Sequence, residues 1–205
     1  MLSCEDIIQV EDYGTGHTLG QSRKIKDIAH ISLKKPRLGQ ILFRLVTYCQ
    51  PKYILDLGTS LGITTMYLAS AKSTASVKSF EGCGNISRFA LANVKKAGLK
   101  NIEIITGNID NTLMDSIQSI PKIDFVFFDA NHTYEATLSY FELCLNKADT
   151  ESVFVFDDIY WSTGMEDAWE LIKANEKVTL SIDLYHMGII FFRTNQPKQH
   201  FILRI

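Results

Sequence analysis

The chain has 205 residues, 46% of them hydrophobic and 21% charged, with 12 Gly and 4 Pro, which excludes disorder and fibrous repeats and suits one large domain with a buried core. Twenty-one Lys plus Arg against 23 Asp plus Glu leave a net charge of −2, so there is no basic field to hold nucleic acid, and none is expected as a partner. Cys4, Cys49, Cys83 and Cys144 are scattered, with no CxxC pair; neither a zinc knuckle nor a disulfide framework is signalled, and a reducing cytoplasm is expected.

The amino terminus, MLSCEDIIQVEDYG, has acids where a signal peptide needs positive charge, and no stretch approaches about 18 apolar residues, so neither export nor a membrane is expected. Tyr13, Gly14, Thr15 and Gly16 read as a loop able to close over a pocket. Two helices are predicted over about 22–32 and 37–49, the second with Leu38, Ile41, Leu42 and Leu45 on one stripe. The basic residues Arg23, Lys24, Lys26, Lys34, Lys35 and Arg37 read as solvated helix surface, with attraction of an anionic acceptor as the alternative.

From Tyr53 onward short apolar runs alternate with helix-period segments. Strands are predicted at 53–57, 77–80, 102–106, 125–128 and 152–156, and helices at about 63–72, 86–97, 111–118, 134–145 and 165–172. Asn85 can cap the helix at 86–97 and Gly98 can stop it. The runs 178–184 and 188–193 are separated only by Tyr185, His186 and Met187, too few residues for a helical crossover, so they should pair antiparallel. The fold class that follows is α/β: a Rossmann-like, doubly wound, seven-stranded sheet, mostly parallel with an antiparallel C-terminal strand and helices on both faces. A single domain is expected, with residues 1–50 as a helical lid or substrate segment and 51–205 as the core.

In open α/β sheets ligands bind outside the carboxyl ends of the strands, so the turn Asp56-Leu57-Gly58-Thr59-Ser60-Leu61-Gly62 is the first candidate site. Gly58 and Gly62 would let a ligand approach the backbone, and Glu81, ending the second strand, could accept hydrogen bonds from both ribose hydroxyls. The second cluster is Asp129, Asn131, His132 and Tyr134 after the fourth strand, with Asp157 and Asp158 after the fifth. If those strands are neighbours, their terminal carboxylates converge and repel, and a hard divalent cation such as Mg2+ would relieve that repulsion. The alternative reading is that Asp129 only touches a cofactor, Asp157 or Asp158 caps a turn, and His132 orders its loop.

The segments ILDLGTSLGITTMYLA, VKSFEG, IITGN and IDFVFFDANHTYE together resemble class I S-adenosylmethionine-dependent methyltransferases, most strongly the small O-methyltransferases, from about Tyr53 to Phe192. The resemblance implies that Gly58, Ser60 and Gly62 contact the methionine part of the donor, that Glu81 holds the ribose, and that Gly107 and Asn108 lie beside the adenine. Catechol O-methyltransferase and its metal-dependent relatives have an aspartate and an Asp-Asn pair in the places of Asp129 and Asp157-Asp158; Asp158 departs from that Asn. Sugar-directed methyltransferases look closer, with an acid-rich set and a D-x-x-H block, which makes His132 a candidate general base beside Asp129.

Ser60 stands where a dehydrogenase usually has the glycine that admits a pyrophosphate. Asp56, Glu81 and Asp129 give the expected pocket an acidic edge suited to a cationic sulfonium. The expected activity is therefore methyl transfer from S-adenosylmethionine to an oxygen of a small molecule, with Asp129, Asp157 and Asp158 as metal candidates. An NAD(P)-dependent oxidoreductase and a non-catalytic nucleoside-binding protein of the same fold are the rivals. Tyr160 and Trp161 could wall an acceptor or pack in the core, and the sequence is compatible with a homodimer.

Overall fold

The computed structural model describes residues 1–11 and 22–204; the loop expected at Tyr13 to Gly16 lies outside them. An antiparallel pair, β1 (Ile7–Gln9) and β2 (Ser22–Lys24), precedes α1 (Ile25–Ser32) and α2 (Pro36–Cys49). The chain then alternates β3 (Tyr53–Leu57), α3 (Ile63–Ala71), β4 (Ser76–Glu81), α4 (Gly84–Lys96), β5 (Ile102–Thr106), α5 (Ile109–Gln118), β6 (Ile123–Phe128), α6 (Tyr134–Leu145), β7 (Ala148–Asp157) and α7 (Thr163–Ala174). It closes with β8 (Leu180–Asp183), β9 (Met187–Phe191) and β10 (Gln199–Ile202).

Eight strands form one sheet in the order β10-β8-β9-β7-β6-β3-β4-β5. β9 runs antiparallel to both β7 and β8, as the three-residue connection at 184–186 requires. The remaining pairs are parallel. One strand exceeds the expected seven: β10 is exposed along its whole length and lies on the edge beside β8, so it carries no apolar period. The start of the first predicted helix also differs. Ser22–Lys24 pairs with Ile7–Gln9, and helix begins only at Ile25, because a strand partner earlier in the chain overrides the local helical pattern.

The continuous apolar runs are explained by layers on both faces of the sheet. Val126, Phe128, Phe154 and Phe156 point into a core closed by α5, α6 and α7, with Leu113, Phe141 and Trp169. Phe125, Phe127, Val153 and Val155 point to the other face, against Leu42 and Val46 of α2 and Leu68 of α3. Each such ring or branched chain contributes roughly 1.5–3 kcal/mol by leaving water. No helix among the described residues is long and apolar enough to cross a membrane.

The chain runs from β3 outward through β4 to β5, then returns to lay β6 on the other side of β3. That reversal opens a crevice at the carboxyl ends of β3 and β6. The parallel register places Leu57 opposite both Phe80 and Phe128, and Phe128 opposite Phe156. The next residue of each strand or its loop is therefore Gly58, Glu81, Asp129 or Asp157: three carboxylates and a glycine in a row along one sheet edge.

Candidate active site

A cavity of about 350 Å³ opens over this row, within the range of about 300–1,000 Å³ usual for small-ligand sites. Its first wall is main chain. Gly58 and Thr59 both donate their N–H to the Phe80 carbonyl (3.2 and 2.9 Å), which ties the β3 turn to the end of β4. Ser60 N–H donates to Glu81 Oε2 at 2.8 Å and Cys83 N–H donates to Oε1 at 3.0 Å, so the carboxylate is fixed at the cavity edge. Gly58 has φ +123, and a Cβ there would lie 2.2 Å from the Asp129 carbonyl oxygen. Only glycine lets the turns after β3 and β6 come this close.

The second wall is charge. Asp129 and Asp157 end neighbouring strands, and the Lys34 ammonium, from the linker between α1 and α2, lies between them. Its Nζ is 3.0 Å from Asp129 Oδ1 and 3.9 Å from Asp158 Oδ2, and it forms a close ion pair with Asp157 Oδ2. Asp157 is 1% exposed. Burial first, then the neighbouring Asp129 carboxylate, push its carboxyl well above the ordinary range, against the pull of Lys34. Burial acts the same way on Asp129, but Lys34 and His132 outweigh it and hold that carboxyl below its ordinary value. Burial opposes the charge on Lys34; Asp129 and Asp157 overcome this and raise its pKa. His132 Nε2 lies 3.4 Å from Asp129 Oδ1.

Asp129, His132 and Asp157 have ligand atoms within 4.8 Å of one another, the spacing of a metal site. The two carboxylates suit Mg2+ in chemistry and the imidazole a softer ion, yet the space between the carboxylates is filled by the Lys34 ammonium. A divalent cation would need those oxygens at about 2.0–2.6 Å and would face a like charge within the same shell. The residues as arranged do not fit it.

The backbone is strained here as well. Among the described residues Ser60, Asn131, His132 and Asp158 have φ between +27 and +61 without being glycine, and all four line this cavity. Such conformations persist where surrounding contacts over-determine them, characteristically at functional sites. Asn131 is held by donating to Tyr140 Oη (2.5 Å), whose hydroxyl in turn donates to Asp110.

Of the residues singled out from sequence, Gly58, Ser60, Glu81, Asp129, His132 and Asp158 line the cavity. Asp157 lies behind the wall and meets the cavity through Lys34. Asp56 is fully buried under the turn, accepting from Thr65 Oγ1 (2.5 Å) and Ser79 Oγ (2.8 Å); burial above all raises its pKa to about 7. Gly62 caps α3 and packs on Ala90. Gly107 donates its N–H to the Glu81 carbonyl at 2.9 Å, and Asn108 caps α5, whose first residue, Ile109, lines the cavity.

Trp161 lines the cavity too, 6.5 Å from the His132 ring. Tyr160 turns away, donating to Asp183 and stacking on Tyr185. The basic run divides. Lys24 and Lys26 pair with Glu5, whereas Arg23 and Lys34 line the cavity, which corrects the expectation of solvated surface. Lys34 is the residue that sequence reasoning missed. Its one signal is a cation in a short linker between two amphipathic helices, and nothing local pointed that linker at Asp129, Asp157 and Asp158, far along the chain.

A family profile described as a methyltransferase domain matches residues 55–159, a span that contains Gly58, Glu81, Asp129, Asp157 and Asp158 but not Lys34. No curated protein matches the chain in sequence. Among solved structures, the O-methyltransferase from Bacillus cereus in complex with SAH has a TM-score of 0.67 and 23% identity, over 82% of this chain and 88% of its own. The O-methyltransferase TomG from Streptomyces achromogenes, involved in tomaymycin synthesis and solved with SAM, has a TM-score of 0.68 and 18% identity, over 79% of this chain and 82% of its own. An SAH-bound methyltransferase from Podospora anserina has a TM-score of 0.68 and 14% identity, over 78% and 80%. At these identities the likeness is one of fold.

Proposed function

The chain belongs to the methyltransferase domain family, and we propose that it is an S-adenosylmethionine-dependent O-methyltransferase acting on a small molecule. The observation that carries this reading is the row Gly58, Glu81 and Asp129 under one cavity of about 350 Å³. Gly58 and Ser60 take the methionine part of the donor, where main chain can approach closely. The Glu81 carboxylate, held by two backbone N–H groups, takes the ribose hydroxyls. Ile109, placed by Gly107 and Asn108, lines the position of the base. Glu11, Glu81, Asp129 and Asp158 around the cavity outnumber Arg23 and Lys34, which favours a cationic donor over a diphosphate.

A bound sulfonium supplies an electrophilic methyl group, and its transfer needs a nucleophile about 3 Å away and in line with the departing sulfur. The protein's task is therefore mainly positioning. His132, oriented by Asp129, accepts the proton of the acceptor hydroxyl, and Trp161 offers a flat wall for the acceptor. The described part of residues 1–50 forms the cover: Val10, Arg23, Ile31 and Lys34 line the cavity from that side. The four unbridged cysteines suit a cytoplasmic location.

Calorimetry tests the reading. S-adenosylhomocysteine should bind and NAD should not; the reverse would replace this activity with that of an oxidoreductase. Glu81→Ala should weaken S-adenosylhomocysteine by about a hundredfold, since hydrogen bonds to a charged group contribute roughly 1.5–3 kcal/mol each. An unchanged affinity would remove Glu81 from the ribose.

A further inference from the structure

We propose that Lys34 is a built-in cation: its ammonium takes the place of a divalent metal between Asp129, Asp157 and Asp158 and from there holds the acceptor oxygen. The geometry points to this more than to a chance surface contact. Lys34 stands on a linker fastened at both ends. On one side Ile25, Ile28 and Ala29 of α1 pack against Leu61, Cys83 and Ile86, and Ser60 Oγ donates to Ser32 Oγ at 2.8 Å. On the other, Leu38, Leu42 and Val46 of α2 are buried in the core on one face of the sheet. The ammonium is delivered to the acids by packed helices.

The chemistry of the site needs a cation. Two buried carboxylates on adjacent strand ends cannot both remain charged and unpaired, and Lys34 reaches both of them. An ammonium has three N–H donors. Two face Asp129 and Asp157, and Asp158 at 3.9 Å is beyond hydrogen-bond reach, so one donor serves the acceptor. Charge at that oxygen eases loss of its proton, the task a metal performs elsewhere.

This inference rests on the methyltransferase reading and narrows its substrate class. A divalent cation chelates two vicinal oxygens, whereas a single N–H engages one. The acceptor is therefore a molecule presenting one hydroxyl, alcohol or phenol, with no need of a catechol-type pair. In the transfer the oxygen–carbon bond forms as the carbon–sulfur bond breaks, and the electron pair stays on sulfur. The hydroxyl proton passes to His132, while Lys34 keeps its own.

Mn2+ binding to the full chain, followed by electron paramagnetic resonance, tests the proposal without any turnover. Wild type should bind no stoichiometric Mn2+ at the acids, whereas Lys34→Met should gain one site at least about tenfold tighter, because a like charge a few ångströms away has gone. Adding Asp157→Asn to that variant should abolish the site. Wild type that binds one Mn2+ and loses it on Asp157→Asn alone would overturn the proposal, and this arm stands even where Lys34→Met does not fold. A folded Lys34→Met that gains no Mn2+ would overturn it as well. Calorimetry with S-adenosylhomocysteine on the same samples keeps the two readings apart: loss of donor binding in wild type sinks the methyltransferase reading and leaves the Mn2+ result to decide the identity of the cation.

Discussion

Each wall of the cavity presents carboxylates at strand ends, but the walls hold them by different means. Glu81 is fixed by the main-chain N–H groups of Ser60 and Cys83, in a turn that exists once β3 and β4 have paired. Asp129 and Asp157 are held by one ammonium that arrives from a residue 123 positions before Asp157, and only after α1 and α2 have packed. The donor wall is thus a property of a strand–turn–helix unit, and the acceptor wall a property of the finished assembly. A donor common to many enzymes can be held by backbone, while side chains that differ between enzymes select the acceptor.

The two walls touch at Gly58. A methyl group there would meet the Asp129 carbonyl oxygen at 2.2 Å, at a φ of +123 that L side chains rarely adopt. Both partners are main chain, so neither can swing aside as the tip of a long side chain would. Gly58→Ala is expected to cost about 3–5 kcal/mol in urea unfolding and to remove donor binding in calorimetry. Wild-type stability in this variant would show that the two walls are independent.

The same contrast governs what could be read from the sequence. From β3 to β9 burial on one or both faces leaves apolar runs, and the turn residues between them fix the order of strands, so the sheet and the row of acids on its edge were legible. Ser22–Lys24 was not, because its pairing with Ile7–Gln9 outweighs a helical pattern that continues into α1. Nor was β10, whose exposed residues pair with β8 through the backbone and one side-chain hydrogen bond, Ser181 Oγ to His200 Nδ1 at 2.9 Å. Lys34 has the composition of a surface linker; its burial among acids is decided by where two helices dock. Main-chain sites leave glycines and strand ends as a trace, whereas a long-range ion pair leaves none.

Asp56 is the buried support of the donor wall. It lies beneath the turn, and burial raises its pKa to about 7; hydrogen bonds from Thr65 and Ser79 work against this, and the Asp129 and Glu81 carboxylates of both walls add to it. The folded group keeps its proton to higher pH than the unfolded one, so its contribution to stability is full below about pH 4 and is lost as pH rises through about 7. Asn cannot ionise and retains an oxygen for the two hydroxyls. The stability of Asp56→Asn, from urea unfolding at pH 5 and pH 8, should fall less steeply than that of wild type, by about 2–3 kcal/mol. An identical slope in both proteins would place the titration on the acceptor wall, at Asp157, rather than under the donor.

Asn108 lies further along the donor wall and contributes least to it. The resemblance assigns this residue a place beside the adenine, but in the structure its Oδ1 accepts from Asp110 N–H at 3.0 Å and caps α5, while Ile109 lines the cavity. If the cap is its main task, Asn108→Ala should lose about 1 kcal/mol of stability. Asn108→Asp should restore it, since a carboxylate caps as well and is favoured at a helix N-terminus. S-adenosylhomocysteine affinity should change less than about threefold in either variant, because the cap acts on the base only through the position of α5. A tenfold loss of affinity in Asn108→Asp at undiminished stability would mean that the side chain itself touches the base, and the donor wall would then be held partly by side chains, as the acceptor wall is.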